Sequence, residues 1–354
     1  MTILFAILIF SILIFVHELG HFLAAKASGV RVNEFSMFMG PAIFKKQVGD
    51  TLYALRCIPF GGYCAMEGEN EDTDDPHSFQ KAAWWKRLII LVAGSAMNLV
   101  AGFLILAIVF APSKQFVMPV IDSATEGSTV IREDGIHVGD RILELDGEKI
   151  YVQADFSMLL QMNPGKTHDI VVERNGEKLV FEDYLMETHL FPGEKPGEQT
   201  ERYGFSFSVV DANFQNKLQY TWNSGMNVIR NVRLSLVMML SGQAGLKDMT
   251  GPVGLVQIMS DSAAAAPTRL DALLNMLYIG GFIAINLAVM NMLPIPALDG
   301  GRVFGLLLTC AIEAITRKKL DAKYEGYIHG AGMILLLALM AFILFKDIFV
   351  IFTR

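Results

Sequence analysis

The sequence predicts a polytopic α-helical membrane protein with four transmembrane helices and one β-rich domain inserted between the second and the third. Three observations carry this expectation. Of the 354 residues, 53% are hydrophobic and only 18% charged, and the mean hydropathy is +0.41, too apolar for a water-soluble chain of this length. Four segments reach the roughly 20 apolar residues that a helix needs to cross a bilayer: about 2–26, 87–111, 272–295 and 329–351. Between the second and third, residues 115–208 change to short alternating runs such as "GDRILELDGEKI" and "HDIVVERNGEKLVFE". These are cut by the hairpin dipeptides DG (146–147) and NG (175–176), the pattern of half-buried strands.

The elements follow in order. Residues 1–16 contain no Lys or Arg, and no small-x-small site precedes "HELGH" (17–21), so the first segment reads as a retained helix and not as a cleaved signal. Loop 27–86 carries Arg31, Lys45, Lys46, Arg56, Lys81 and Lys86. Loop 297–328 carries Arg302, Arg317, Lys318, Lys319 and Lys323. The positive-inside rule puts both loops in the cytoplasm, which leaves both chain ends and the 112–270 region outside. Cys57, Cys64 and Cys310 form no CxxC pair and read as free thiols, two of them on the reducing side. Residues 213–270 include the amphipathic helical stretch "NKLQYTWNSGMNVIRNVRLSLVMML", expected to lie on the membrane surface or to pack against the bundle. The acidic run "EGENEDTDD" (67–75) reads as a solvated loop. The expected organisation is thus an N-terminal membrane half (1–111), an outer domain (115–208), a helical connection (213–270) and a C-terminal membrane half (271–354). A net charge of -7 and no basic arm exclude a nucleic-acid partner.

Chemistry concentrates at "HELGH". His17 and His21 are four apart, so a helix sets them on one face, where two imidazoles can bind one cation; Glu18 beside them is placed to act as general base on a metal-bound water. In a soluble helix HExxH is often only a polar face. Inside an apolar span no solvated face is available, and ionisable groups there are functional by default. A zinc hydrolase needs a third protein ligand and an open position. Asp299 in "NMLPIPALDGGR" (291–302) is the best candidate, because topology brings it to the depth of "HELGH". Taken alone, "LDGG" reads as a helix-terminating turn. Pro294 and Pro296 free backbone groups at membrane depth, tolerated where they are buried or line a cavity, and an extended stretch there suits pairing with a substrate strand. Glu67, Glu69 and Glu71 in the acidic run, and Glu313, are weaker ligand candidates. His77 and His329 read as interfacial or hydrogen-bonded, and His137, His168 and His189 fall on the wrong side. Asn98 in "AGSAMN" either makes an interhelical hydrogen bond or serves as an oxyanion donor or substrate orienter.

These residues together resemble the site-2 protease family of intramembrane zinc metalloproteases, in its bacterial RseP/RasP-like branch. "HELGH" with "LDGG" is similar to the family's metal site, and "NMLPIPALDGGR" to its N-x-x-P-x-P-x-L-D-G signature. "GDTLYALRCIPFGGYCAMEGE" (49–69) resembles the reentrant β-loop that follows the first span, expected over about 31–68. "GSAMN" resembles G-P-x-x-N, with Ser95 in place of the proline, and "GIHVGDRILELDGEKI" (135–150) resembles the centre of a PDZ domain. The resemblance implies zinc on His17, His21 and Asp299, with Glu18 as the base. Asn291, Asn98, Pro294 and Pro296 would hold an extended substrate. It implies single-span substrates already trimmed by another protease, either anti-sigma factors or remnant signal peptides. It also implies one PDZ-like domain, which would bind a new C-terminus or filter by size. Two other readings compete: a catalytically silent PDZ-bearing adaptor, for which an intact Glu18 has no use, and a metal transporter or sensor, for which polar groups confined to one depth are a poor fit.

Overall fold

The computed structural model describes residues 2–69, 73–125, 128–192, 199–245, 251–317 and 323–353; Glu71 lies outside them. Two compact units emerge, one formed by Met1–Val109 with Asn231–Arg354, the other by Phe110–Arg230.

Helix α1 (Thr2–Ser28) is apolar for most of its length and stops where the chain turns left-handed at Gly29 (φ +79°). The Val30 N–H reaches back to the Ala25 carbonyl at 2.9 Å, closing the helix end. Strands β1 (Val32–Val48) and β2 (Thr51–Met66) pair antiparallel. Both fold back on themselves, so that Phe35 lies opposite Tyr53 and also opposite Cys64. Arg56 sits among the segments. It donates to the Ser36 hydroxyl, the Gly40 carbonyl, the Glu34 carboxylate and the Tyr63 hydroxyl, all within 2.9 Å. A residue counted above as a topology signal is therefore an internal clamp of the β-loop. Helix α2 (Trp84–Phe110) follows. One buried cluster joins α1, the β-loop and α2 through Ala25, Val32, Phe35, Cys64, Ile90 and Leu91.

The second unit, Phe110–Arg230, is built on a six-stranded antiparallel sheet. It contains β3 (Gln115–Ala124), β4 (Arg141–Leu145), β5 (Glu148–Lys149), then helix α3 (Gln153–Met162), β6 (Thr167–Arg174), β7 (Glu177–Leu185) and, after the small hairpin β8 (His189–Pro192) and β9 (Gln199–Arg202), strand β10 (Phe205–Asp211). The order is β10-β3-β4-β6-β7, with β5 on β4. Both expected hairpin dipeptides are turns. Asp146 and Gly147 join β4 to β5 and Asn175 and Gly176 join β6 to β7, all four with positive φ, as the primed turns that match strand twist require. Helix α3 lies within the expected β-rich domain and was not singled out by the sequence. Its Phe156, Leu159 and Leu160 are buried, so a helical stripe was hidden in a ten-residue stretch too short to stand out. Helix α4 (Phe214–Leu240) then leaves this unit, with Phe214, Leu218 and Trp222 exposed along one face.

The C-terminal part contains α5 (Pro252–Ala264), α6 (Arg269–Asn291), α7 (Asp299–Thr316) and α8 (Lys323–Thr353). Ala6, Ile9 and Leu13 of α1 pack on Met259 of α5 and on Ile283 and Ala284 of α6. Among the described residues three helices are long and apolar enough to cross a membrane, Ile3–Ser28, Trp84–Phe110 and Arg269–Asn291; in α8 the apolar stretch Gly330–Lys346 is shorter. Two expectations need correction. The third apolar segment stops being helical at Asn291 and not near 295, because Pro294 bars the preceding residue from helical geometry. The 297–328 loop also contains α7: "LDGG" starts a helix and does not terminate one.

Candidate active site

Helix α1 sets His17 and His21 one turn apart on one face, and Asp299, the first residue of α7, meets them. His17 Nε2 lies 3.1 Å from Asp299 Oδ2, His21 Nε2 lies 3.3 Å from the same oxygen, and the two Nε2 atoms are 3.2 Å apart. Three ligand atoms thus form a near-equilateral triangle. A tetrahedral zinc with ligands at about 2.0–2.1 Å sets them about 3.4 Å apart, so the triangle has the size of one face of that tetrahedron. Asp299 Oδ2 is buried and no N–H is aligned on it, as expected if the three atoms converge on a common point and not on one another. Among the described residues this is the one cluster of His, Cys, Asp or Glu side chains able to hold a metal ion.

The surroundings prepare these ligands. His21 Nδ1 is 2.8 Å from the Ile90 carbonyl, an acceptor only, so Nδ1 carries the proton and Nε2 presents a lone pair. Asn98 Nδ2 is 3.4 Å from His17 Nδ1. Helix α2 comes this close because residue 94 is glycine: a Cβ there would lie 2.3 Å from His21 Nε2 and 2.8 Å from His17 Cε1. Glu18 interacts electrostatically with His21, His17 and Asp299, and Gly62 of the β-loop faces its Cγ. The chain from 292 to 301 doubles back tightly. Ala297 takes φ +78°, and a Cβ on Gly300 or Gly301 would fall within 2.3 Å of the backbone of Met292, Leu293 or Ile295. The two glycines of "LDGG" are thus what lets Asp299 reach the histidines. An ion pair between Arg302 and Glu69 closes the same turn onto the end of the β-loop.

His17, Glu18, His21, Asp299 and Asn98 are therefore brought together. Asn291 ends α6, and Pro294 and Pro296 lie on the connection into Asp299; they shape that connection and do not join the ligand triangle. The described residues of the acidic run are more engaged than a solvated loop: Glu69 pairs with Arg302, Asp75 with Arg31, and Glu67 accepts from Asn33. His77 is hydrogen-bonded as expected, with Nδ1 3.1 Å from the Gly29 carbonyl. Sequence reasoning missed the Ile90 carbonyl, since a backbone acceptor leaves no mark in residue type. It also missed the steric need at Gly94.

Comparison with known proteins agrees with this geometry. The profile of peptidase family M50 matches residues 5–339. A protein of Clostridium perfringens provisionally named a zinc metalloprotease is 35% identical over 352 residues, covering 98% of each chain. A similarly named protein of Fusobacterium nucleatum is 32% identical over 356 residues, covering 99% of this chain and all of its own. The regulator of sigma-W protease RasP of Bacillus subtilis is 25% identical, with 98% of each chain aligned. The chain accordingly belongs to peptidase family M50, the site-2 proteases, and is a zinc metallopeptidase.

Proposed function

We propose that this chain hydrolyses peptide bonds within or beside the transmembrane segment of single-span proteins, with zinc held by His17, His21 and Asp299. The observation that carries the reading is the triangle of ligand atoms, 3.1–3.3 Å on a side, inside a helix apolar enough to span a bilayer. Bound zinc supplies a Lewis acid that makes water nucleophilic near neutral pH. Glu18 takes a proton from the attacking water and passes it to the leaving amine. A peptide bond inside a helix is sealed by its own hydrogen bonds, so the substrate must be extended first. The β-loop, with Gly62 beside Glu18, and the 291–297 connection with Asn291, Pro294 and Pro296 offer backbone for that extended segment.

The wider arrangement belongs to the same proposal. Helix α8 serves as the fourth span, the basic loops lie in the cytoplasm, and the termini and the outer domain lie outside the cytoplasmic membrane. The exposed Phe214, Leu218 and Trp222 of α4 suit the membrane surface. The outer domain acts as a single PDZ-like module. In support, β10 is an edge strand of the sheet, and Phe156 and Leu160 of α3 line a groove with Tyr203, Phe205 and Phe207, a place for an added peptide strand. The Bacillus subtilis relative is named a regulator of sigma-W protease; on that likeness we favour a trimmed anti-sigma factor over a remnant signal peptide as the substrate.

The test is cleavage of a trimmed single-span substrate in reconstituted membranes by wild type and by Glu18→Gln, with zinc measured in both. Wild type should cut and hold one zinc. The variant should hold zinc and lose about 10²–10⁴-fold in turnover. Two zinc-loaded proteins that both fail on every substrate would favour the adaptor or transporter instead.

A further inference from the structure

The two histidines are treated alike in one respect: each directs its Nδ1 at helix α2. For His21 the partner is the Ile90 carbonyl, at 2.8 Å. For His17 it is the Asn98 side chain, at 3.4 Å. Asn98 is 1% exposed, so its amide has no water to turn to. As placed, its Nδ2 faces His17 Nδ1, while its Oδ1 is buried with no donor at all. An NH2 group facing Nδ1 would require Nδ1 to accept, which moves the ring proton to Nε2, the atom that points at Asp299 and His21. That tautomer cannot bind a metal. Oxygen and nitrogen of an amide are nearly isosteric, and their assignment follows the hydrogen-bond network. Rotating the amide by 180° places Oδ1 where Nδ1–H of His17 can donate to it. The same rotation gives the orphaned oxygen a donor and frees the Nε2 lone pair.

We infer that Asn98 is a positioning residue for the metal site, its side-chain carbonyl accepting from His17 Nδ1–H and fixing the tautomer and orientation in which Nε2 is a ligand. This rests on the zinc reading proposed above. It differs from an oxyanion contact in the sign of the hydrogen bond, because an oxyanion needs the amide to donate, and from a substrate contact in the partner, because the acceptor is spent on His17. Ile90 and Asn98 then form a matched pair of acceptors, one backbone and one side chain, eight residues apart on α2. Such partners orient ligand histidines and raise their basicity, and removing one typically weakens metal binding 10–100-fold.

The sign decides the experiment. Full-length wild type, Asn98→Leu, Asn98→Asp and His17→Ala are reconstituted in lipid vesicles. Zinc affinity is read by competition with a chelator, and cleavage is measured separately. Leucine fills the space but accepts nothing, so N98L should bind zinc about 10–100-fold more weakly than wild type. Aspartate accepts and cannot donate, so N98D should hold zinc within about threefold of wild type and still cut. N98L binding zinc like wild type would overturn the inference. So would N98D that holds zinc and no longer cuts, which would assign the amide as a donor to substrate. Loss of zinc in N98L and N98D alike would overturn it too, leaving a packing role only. If wild type itself binds no more zinc than His17→Ala, the metal reading falls; if only the asparagine variants miss their expected values, this inference falls alone.

Discussion

Two aspartates, one in each unit, bury carboxylate oxygens to opposite purposes. In the unit Phe110–Arg230 Asp140 is 1% exposed, and both of its oxygens are engaged. Arg174 donates Nε to Oδ1 and Nη2 to Oδ2, each at 2.7 Å, and the His137 N–H reaches Oδ2 at 2.8 Å. Arg174 also donates to the Gly135 carbonyl. In the membrane half Asp299 has two imidazole nitrogens close by and no aligned N–H on Oδ2. A buried carboxylate is costly unless it is paired and hydrogen-bonded. Where the partners are complete, the group is a staple. Where they are incomplete, as on Asp299 Oδ2, the site is built for something else to complete it.

The sharpest way to break this comparison is to remove both carboxylates in turn. Asp299→Ala should reduce zinc affinity by more than the 10–100-fold expected for an outer partner and abolish cleavage, with little change in the metal-free protein's unfolding. Asp140→Ala should do the reverse. Zinc content should be unchanged, while the outer domain loses about 3 kcal/mol, at the low end for a broken buried pair because Arg174 is partly exposed. Zinc titration together with denaturant unfolding of each variant checks both directions. A stability loss in Asp299→Ala equal to that of Asp140→Ala would erase the distinction.

A smaller effect follows from acid. Burial alone would raise the Asp140 carboxyl, but the Arg174 guanidinium and the His137 N–H outweigh it and hold the group below the ordinary carboxylate value. The folded state therefore binds this proton more weakly than the unfolded state does. The stability it contributes is complete above the unfolded value near 3.9 and disappears as pH falls through the lower folded value. Asp146 behaves in the same way: burial raises it, while His168, Asn163 and the Asp169 N–H outweigh that. Unfolding of the outer domain should thus become easier below about pH 4, and Asp140→Asn should flatten the slope. An unchanged slope in that variant would assign the acid sensitivity to Asp146 or elsewhere.

How much of this could be read beforehand depends on what each feature leaves in the sequence. Three of the four expected spans were legible because a bilayer demands length and apolarity, both of which are visible in residue type. The hairpin turns were legible because DG and NG are nearly forced where φ is positive at two consecutive residues. His17, Glu18 and His21 were nameable because charge inside hydrocarbon needs a reason, and Asp299 because a zinc site needs a third ligand at their depth. The helical nature of 299–316 was not, because "DGG" looks like a terminator when its neighbours are unknown, and only the fold-back onto Met292, Leu293 and Ile295 explains the glycines. The partner of Glu69 was equally hidden: Arg302 lies more than two hundred residues away in sequence, and nothing local in an acidic run announces a distant ion pair.

Glycine gives the finest version of the contrast. Gly94 has helical backbone and no room, since a Cβ would strike both imidazoles; Gly176 has room on every side and a backbone at φ +83°. The two are kept for different reasons, one for space beside the ligands and one for a dihedral angle. Gly176→Ala should therefore cost only the strain of a left-handed alanine, about 1 kcal/mol. The cost should appear as faster hydrogen exchange across β6 and β7, with zinc affinity and cleavage as in wild type. If this substitution in the outer domain did change zinc affinity, the turn between β6 and β7 would be coupled to the metal site, and the separation of the two units into a stapled module and an unsatisfied one would be wrong.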